Sequence, residues 1–211
     1  MKGLLLAFFA FIAINVSAQD WSNDVYKQGD IYPGYMIDKD GKKTEGFIKM
    51  QNRYAMQSTV LFYTDKNDRK SKLKIKSETL SEYSVAEKTW RCINYSGGLS
   101  KKTIKGNLLI EDGCISTYAF YTYESGVNTR LEGETAEMFA NRKYPKSIVR
   151  HKVGDEIPVT DDYFLLGFVK RMSEYVASNE ELAAKVANKE KGYKMLNMDA
   201  IMDEYNKDCA Q

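Results

Sequence analysis

Chemistry by side chains needs a nucleophile, a base or a ligand set, and the candidates in these 211 residues are few. There is one histidine, His151, flanked by Arg150 and Lys152. A Ser-His-Asp or Cys-His centre would have to use it, yet no G-x-S-x-G elbow is present. The three cysteines, Cys92, Cys114 and Cys209, are scattered. Zinc wants clustered Cys and His, so no metal site is expected. Asp38-Lys39-Asp40-Gly41 lacks the sixth-position glycine and twelfth-position glutamate of a calcium hand. Gly97-Gly98 is not followed by Gly-Lys-Ser/Thr, so no phosphate loop and no cofactor are expected. Paired carboxylates remain: Glu111-Asp112, Glu132 with Glu134, and Asp161-Asp162. Glycosidase carboxylates are set by folded geometry, so adjacency in sequence says little. Asp161-Asp162 fits a helix start, where negative charge is favoured. No catalytic residue is assigned.

Two non-catalytic patterns are clearer. In KSKLKIK, strand alternation puts Lys70, Lys72, Lys74 and Lys76 on one face and Leu73 and Ile75 on the other. That is either a lysine-guarded edge strand or a cationic surface for an acidic glycan, a lipid headgroup or an envelope protein. Further on, Tyr118 and Phe120 alternate with Ala119, Tyr121 and Tyr123, in a chain with 15 tyrosines. Exposed tyrosines suit sugar rings or a protein interface, and tyrosine is also an ordinary strand residue. Tyr121 and Tyr123 join the four lysines as candidate binding residues.

The N-terminus reads as a secretory signal peptide over residues 1–18. Lys2 is the positive n-region, Leu4 to Ile14 is an apolar run, and Val16-Ser17-Ala18 is the cleavage pattern, with the mature chain starting at Gln19. The run is shorter than the roughly 20 residues a membrane span needs, and no comparable stretch follows, so no transmembrane segment is expected. A periplasmic or secreted location permits disulfides. Three cysteines leave at least one unpaired within the chain. Cys92 and Cys114, both in strand-like sequence, are the candidate pair, and Cys209, near the C-terminus, is expected to be dispensable for the fold. Without residues 1–18 the chain keeps 30 basic and 29 acidic residues. A balance so near neutral gives no argument for nucleic acid as a partner.

The elements that must carry these residues divide in two. From Ile31 onward come short strands and tight turns: Ile31 to Ile37, Thr44 to Met50, Val60 to Thr64, Lys70 to Ser77, Leu80 to Val85, Thr89 to Tyr95, Leu108 to Ile110 and Ile115 to Tyr123. Weaker strand signals cover Glu137 to Ala140 and Ser147 to Val153. After Pro158 the apolar spacing becomes helical. Leu165, Phe168, Val169, Met172 and Val176 make one face, with Thr160 or Asp161 as its cap. Ser178 with Glu181 gives a capping-box pattern before Leu182 and Val186. Asn197 can cap a last helix facing inward through Met198, Ile201, Met202 and Tyr205. The expected class is α+β: an antiparallel β-sheet sandwich or barrel-like unit over residues 19–158, with three C-terminal helices of 159–211 packed on it in one unit.

The hairpin GYMIDKDGKKTEGFIK at 34–49, with a tail running from Phe168-Val169-Lys170 through Glu181-Leu182 to Tyr205-Asn206 and Cys209, resembles exported envelope proteins of the Bacteroidota. The resemblance covers the two ends of the mature chain. It implies export and a β-then-α layout. The family has no established activity, so no catalytic residue is carried over. The functional expectation is a non-catalytic binding or interaction module of the cell envelope. The alternatives are a hydrolase of envelope or extracellular polymer using paired carboxylates, and an architectural subunit of an envelope assembly.

Overall fold

A computed structural model describes residues 26–95 and 103–209, so the expected signal segment and the Gly97-Gly98 loop lie outside the described residues. The first hairpin forms where the turn chemistry puts it. Strand β1 (Ile31–Asp38) and strand β2 (Lys43–Lys49) pair antiparallel. Asp38 Oδ1 accepts from the backbone N–H groups of Asp40 and Lys42 at 3.0 and 2.9 Å, and Gly41 takes a φ of +83°. Gly34 and Gly46 face each other across this pair. A Cβ at Gly34 would lie 2.4 Å from the Ser84 carbonyl oxygen, and one at Gly46 would lie 2.3 Å from the Phe62 ring. These two bare positions let the neighbouring strands close in on both sides.

The remaining strands are β3 (Thr59–Tyr63), β4 (Lys72–Lys76), β5 (Leu80–Val85), β6 (Lys88–Ile93), β7 (Lys105–Glu111), β8 (Ile115–Tyr121), β9 (Lys146–Lys152) and β10 (Val159–Thr160). They form one antiparallel sheet in the order β10-β9-β8-β7-β6-β5-β1-β2-β3-β4. The sheet does not close, and no second sheet faces it among the described residues, which corrects the sandwich or barrel expected from strand spacing. It curls nonetheless. Ile48 of β2, Phe62 of β3, Tyr83 of β5, Trp90 of β6, Leu108 of β7 and Tyr121 of β8 share one core. The mouth of the curl is spanned by residues 51–58, which carry helix α1 (Arg53–Met56). Gln57 there is 2% exposed and clamps the Tyr121 backbone, donating to its carbonyl at 2.7 Å and accepting from its N–H at 2.6 Å. The Tyr83 hydroxyl donates to the Met56 carbonyl, and the Gly106 N–H donates to the Gln57 carbonyl at 2.8 Å. A polar plug therefore stands where a barrel would have closed.

Residues 137–140, expected as a strand, lie in helix α2 (Ala136–Lys143). Thr135 caps it by accepting from the Met138 N–H at 3.1 Å. Glu137 sits in the first turn and Arg142 and Lys143 in the last, the polarity a helix dipole favours. Past Pro158 the expected three helices are four, after the two-residue strand β10. The first divides at Gly167 (φ +80°) into α3 (Asp161–Leu165) and α4 (Phe168–Tyr175). Helix α5 (Glu180–Ala187) is capped by Asn179, whose Oδ1 accepts from the Leu182 N–H at 3.0 Å. Ser178 is not the cap, because its hydroxyl bonds the Tyr205 hydroxyl at 2.6 Å. Helix α6 (Met198–Cys209) buries Ile201, Met202 and Tyr205 as its periodicity predicts. The four helices share a second core with Ile115 of β8. Every residue of β8 is therefore buried, with the helices over Ile115 and the curl around Ala119 and Tyr121.

Candidate binding cleft and the predicted site residues

The short helix α1 is held by its cap: Asn52 Oδ1 accepts from the Ala55 N–H at 2.8 Å. This start turns Arg53 inward, where it is 3% exposed. One guanidinium nitrogen donates to Asn141 Oδ1 at 2.7 Å. The other donates to both oxygens of Glu137 at 2.8 and 3.0 Å, and the guanidinium lies 5.3 Å from the Tyr121 ring centre. A buried pair of this kind is a fixed geometric feature, since separating it would strand a charge. It docks α2 against α1. Between them opens a cleft of about 240 Å3. Arg53 and Glu137 line it together with the apolar Met50, Ala136, Ala140 and Tyr144, and with Tyr26, Gln28 and Asn52 at its polar side.

A tyrosine rim continues outward. Tyr54 and Tyr144 lie nearly parallel with ring centres 6.4 Å apart. Tyr123 sits 5.6 Å from Tyr54 and 6.0 Å from Tyr144, tilted by 35° to each. Tyr54 and Tyr123 are exposed at 42% and 44%. Lys143 Nζ is 5.8 Å from the Tyr123 ring centre. Burial pushes the Tyr144 phenol pKa up, with the neighbouring Tyr123 adding to it, so it is a neutral hydroxyl at physiological pH.

The residues singled out in the sequence do not all meet here. Tyr123 does. Tyr121 is buried at 4% beneath Arg53, and so is a core residue rather than a contact for a ligand. Alternation predicted that Tyr121 and Tyr123 would share a face, but β8 ends at Tyr121 and Tyr123 lies beyond it. The lysine row is elsewhere. Lys72, Lys74 and Lys76 project from β4, the outermost strand at one end of the sheet, and all are exposed. Lys70 belongs to the 3-10 turn Arg69–Ser71, which shortens the row to three on the strand. Leu73, expected on the face opposite the lysines, is itself 49% exposed.

Cys114 is bonded to Cys209, with a Cα–Cα distance of 6.5 Å, and Cys92 is a buried free thiol. This corrects the Cys92–Cys114 pairing and the view of Cys209 as a loose end. Asn206 makes the approach by gripping Ile115, accepting from its N–H at 2.8 Å and donating to its carbonyl at 3.0 Å. Burial raises the Cys92 thiol pKa to about 12, which leaves it unreactive. His151 Nε2 lies 2.9 Å from the Asp155 carbonyl oxygen, a loop contact and not a catalytic pairing.

The carboxylates are drawn to arginines. Arg150, 3% exposed, donates to Asp161 at 2.8 and 3.1 Å, to Thr117 Oγ1 at 2.9 Å and to Asp199 at 2.5 Å. It ties α3 and α6 to the sheet. Glu111 stands beside this network, and burial, then the nearby Asp203, raise its pKa. Glu134 is bound by Arg142 at 2.9 and 2.8 Å, which holds its pKa at about 2. Among the described residues, no group of three or more His, Cys, Asp or Glu side chains could hold a metal ion. No helix there is long and apolar enough to cross a membrane.

Sequence reasoning missed Arg53, Asn52, Tyr54 and Tyr144. The Asn-Arg-Tyr at 52–54 carries an N-cap residue between two strands, which is a helix-start signal. A four-residue helix is too short to show a periodicity, and the partner Glu137 is 84 positions away. The chain matches no protein-family model, no curated protein and no solved structure.

Proposed function

We propose that this chain is an exported, non-catalytic binding module of the cell envelope, of the kind its resemblance to exported Bacteroidota proteins implies. The observation that carries the binding reading is the open cleft beside Arg53, with apolar walls, a polar side and a rim of exposed tyrosines. Sites of this composition recognise ligands through shape and a few polar contacts. The tripartite N-terminal pattern supports export, and the Cys114–Cys209 disulfide fits an oxidising compartment. The lysines of β4 suit the edge-guarding role first, since they sit on an unpaired sheet edge. They also offer a second, salt-sensitive surface for anionic glycan or lipid. A carboxylate hydrolase finds less support. Glu137 is the carboxylate lining the cleft, and Arg53 engages both of its oxygens.

Incubating the protein with isolated envelope polymer tests the reading. Depletion of the protein from solution without release of reducing sugar is the expected result. Release of reducing ends that stops in Glu137→Gln would replace binding with hydrolysis. Mass spectrometry of the native envelope fraction should find Gln19 as the first residue, and an intact Met1 there would remove the case for export.

A further inference from the structure

We infer that the Arg53 cleft and its tyrosine rim bind one uncharged sugar ring of a glycan, with a neighbouring ring lying on Tyr54 and Tyr123. This rests on the binding-module reading above. Size comes first. At about 240 Å3 the cleft is smaller than the roughly 300–1,000 Å3 of sites for drug-sized molecules. It suits a single ring and not a folded peptide or a long acyl chain.

Charge comes next. Glu137 satisfies the Arg53 guanidinium from both carboxylate oxygens, and Asn141 takes another of its donors. An anionic ligand would have to compete with Glu137, and a cationic one with Arg53, in a pair whose arginine side chain is 4% exposed. An uncharged ligand leaves the pair intact.

Polarity then selects a hydroxylated ring over a purely apolar one. The Asn52 Oδ1 is spent on the helix cap, but its amide nitrogen and the Gln28 amide make no hydrogen bond to the described residues. Both face the same cleft as the apolar Met50, Ala136 and Ala140. A pyranose offers this pairing, with C–H groups on its faces and hydroxyls around its edge. Outside the cleft, the hydroxyls of Tyr54 and Tyr123 are likewise without partners among the described residues. Their rings are open to solvent at 42% and 44%. A second sugar can pack on a ring and hydrogen-bond a phenol at once. A peptide adding itself as a strand would need a free sheet edge. The cleft is walled by α1 and α2, and the long free edge, β4, lies at the end of the sheet.

Native affinity electrophoresis of the exported protein tests this, in gels containing a β-1,3-glucan, a mannan or a xyloglucan as neutral probes and alginate or heparin as acidic ones. At least one neutral polymer should retard the protein, and the effect should persist in about 1 M NaCl, where the Debye length is about 3 Å. Tyr54→Ala with Tyr123→Ala should weaken it roughly tenfold, as loss of aromatic contacts predicts. Ala136→Trp, which fills the cleft from an exposed position, should do the same without altering the rim. Both variants should keep the wild-type melting temperature. Failure of every neutral polymer, or equal retardation of wild type and both variants, overturns the inference. Retardation by alginate or heparin alone, lost in Lys72→Glu with Lys74→Glu, overturns it while leaving the binding-module reading standing. No retardation by any polymer counts against both.

Discussion

Replacing Cys114 and Cys209 by serine removes the covalent tie between the C-terminal end of α6 and the turn before β8. The bonded residues are 95 positions apart. Chain-entropy reasoning gives about 4.7 kcal/mol for a loop near 100 residues, with measured losses of native disulfides at about 2–5 kcal/mol. The variant should still fold. Helix α6 keeps Ile201, Met202 and Tyr205 buried, Asn206 keeps its two bonds to Ile115, and Arg150 keeps Asp199. The loss therefore falls mainly on the unfolded chain, which gains freedom. With a urea m-value of about 2 kcal/mol/M, a loss of about 4 kcal/mol moves the unfolding midpoint down by about 2 M, and m should rise, because the freed unfolded chain is less compact. Equilibrium urea unfolding followed by far-UV circular dichroism measures it, and Cys209→Ser alone should give nearly the same shift. A Cys92–Cys114 bond would behave differently. It would close a loop of about 22 residues, worth roughly 3 kcal/mol, and Cys209→Ser would then be silent. A midpoint shift below about 0.5 M in the double variant would refute the reasoning, as would a free Cys209 found by peptide mapping.

Arg150→Met should destabilise by about 2–4 kcal/mol, at or below the usual cost of breaking a buried pair, because Asp161 keeps 28% exposure and can hydrate in part. Asp199→Asn should change stability by no more than about 0.5 kcal/mol, since that carboxylate is 84% exposed; thermal melts of the two variants measure the contrast. Glu111 has a raised folded-state pKa, so the folded protein holds its proton more tightly than the unfolded chain does. Its contribution favours folding at low pH and turns unfavourable as pH rises through the unfolded value of about 4.3 and the raised folded one. Glu111→Gln should accordingly raise the melting temperature at pH 7, with the difference vanishing below about pH 4, and an equal gain at both pH values would show that charge is not the cause.

Local signals settled local structure. Asp38 and Gly41 carry the first turn in their own side-chain and backbone chemistry, and β1 and β2 follow. Strand β5 spans Leu80–Val85, the residues its pattern marks, and α6 buries the face its spacing marks. Periodicity is a property of neighbouring residues, so it survives without knowledge of what packs on it. It misled where two readings were locally equal. Residues 137–140 alternate weakly enough to pass for a strand, and the Thr135 cap and the charged ends of α2 decide for helix.

The tertiary structure decided everything that depends on distant partners. Tyr121 and Tyr123 are alike in sequence, yet one lies under Arg53 and the other is open, because β8 ends between them and α1 crosses above the first. Arg53 finds Glu137 across 84 positions, and Cys114 finds Cys209 across 95. The openness of the sheet is a matter of what occupies its mouth, namely Gln57 bonded to the Tyr121 backbone. Sequence alone determined the first turn, strand β5 and the buried face of α6, while the place of the lysines on a sheet edge came from the strand order. Only folding decided which thiols met, which tyrosines stayed wet and where a cleft opened, since each is set by the packing of segments with no local sign of one another.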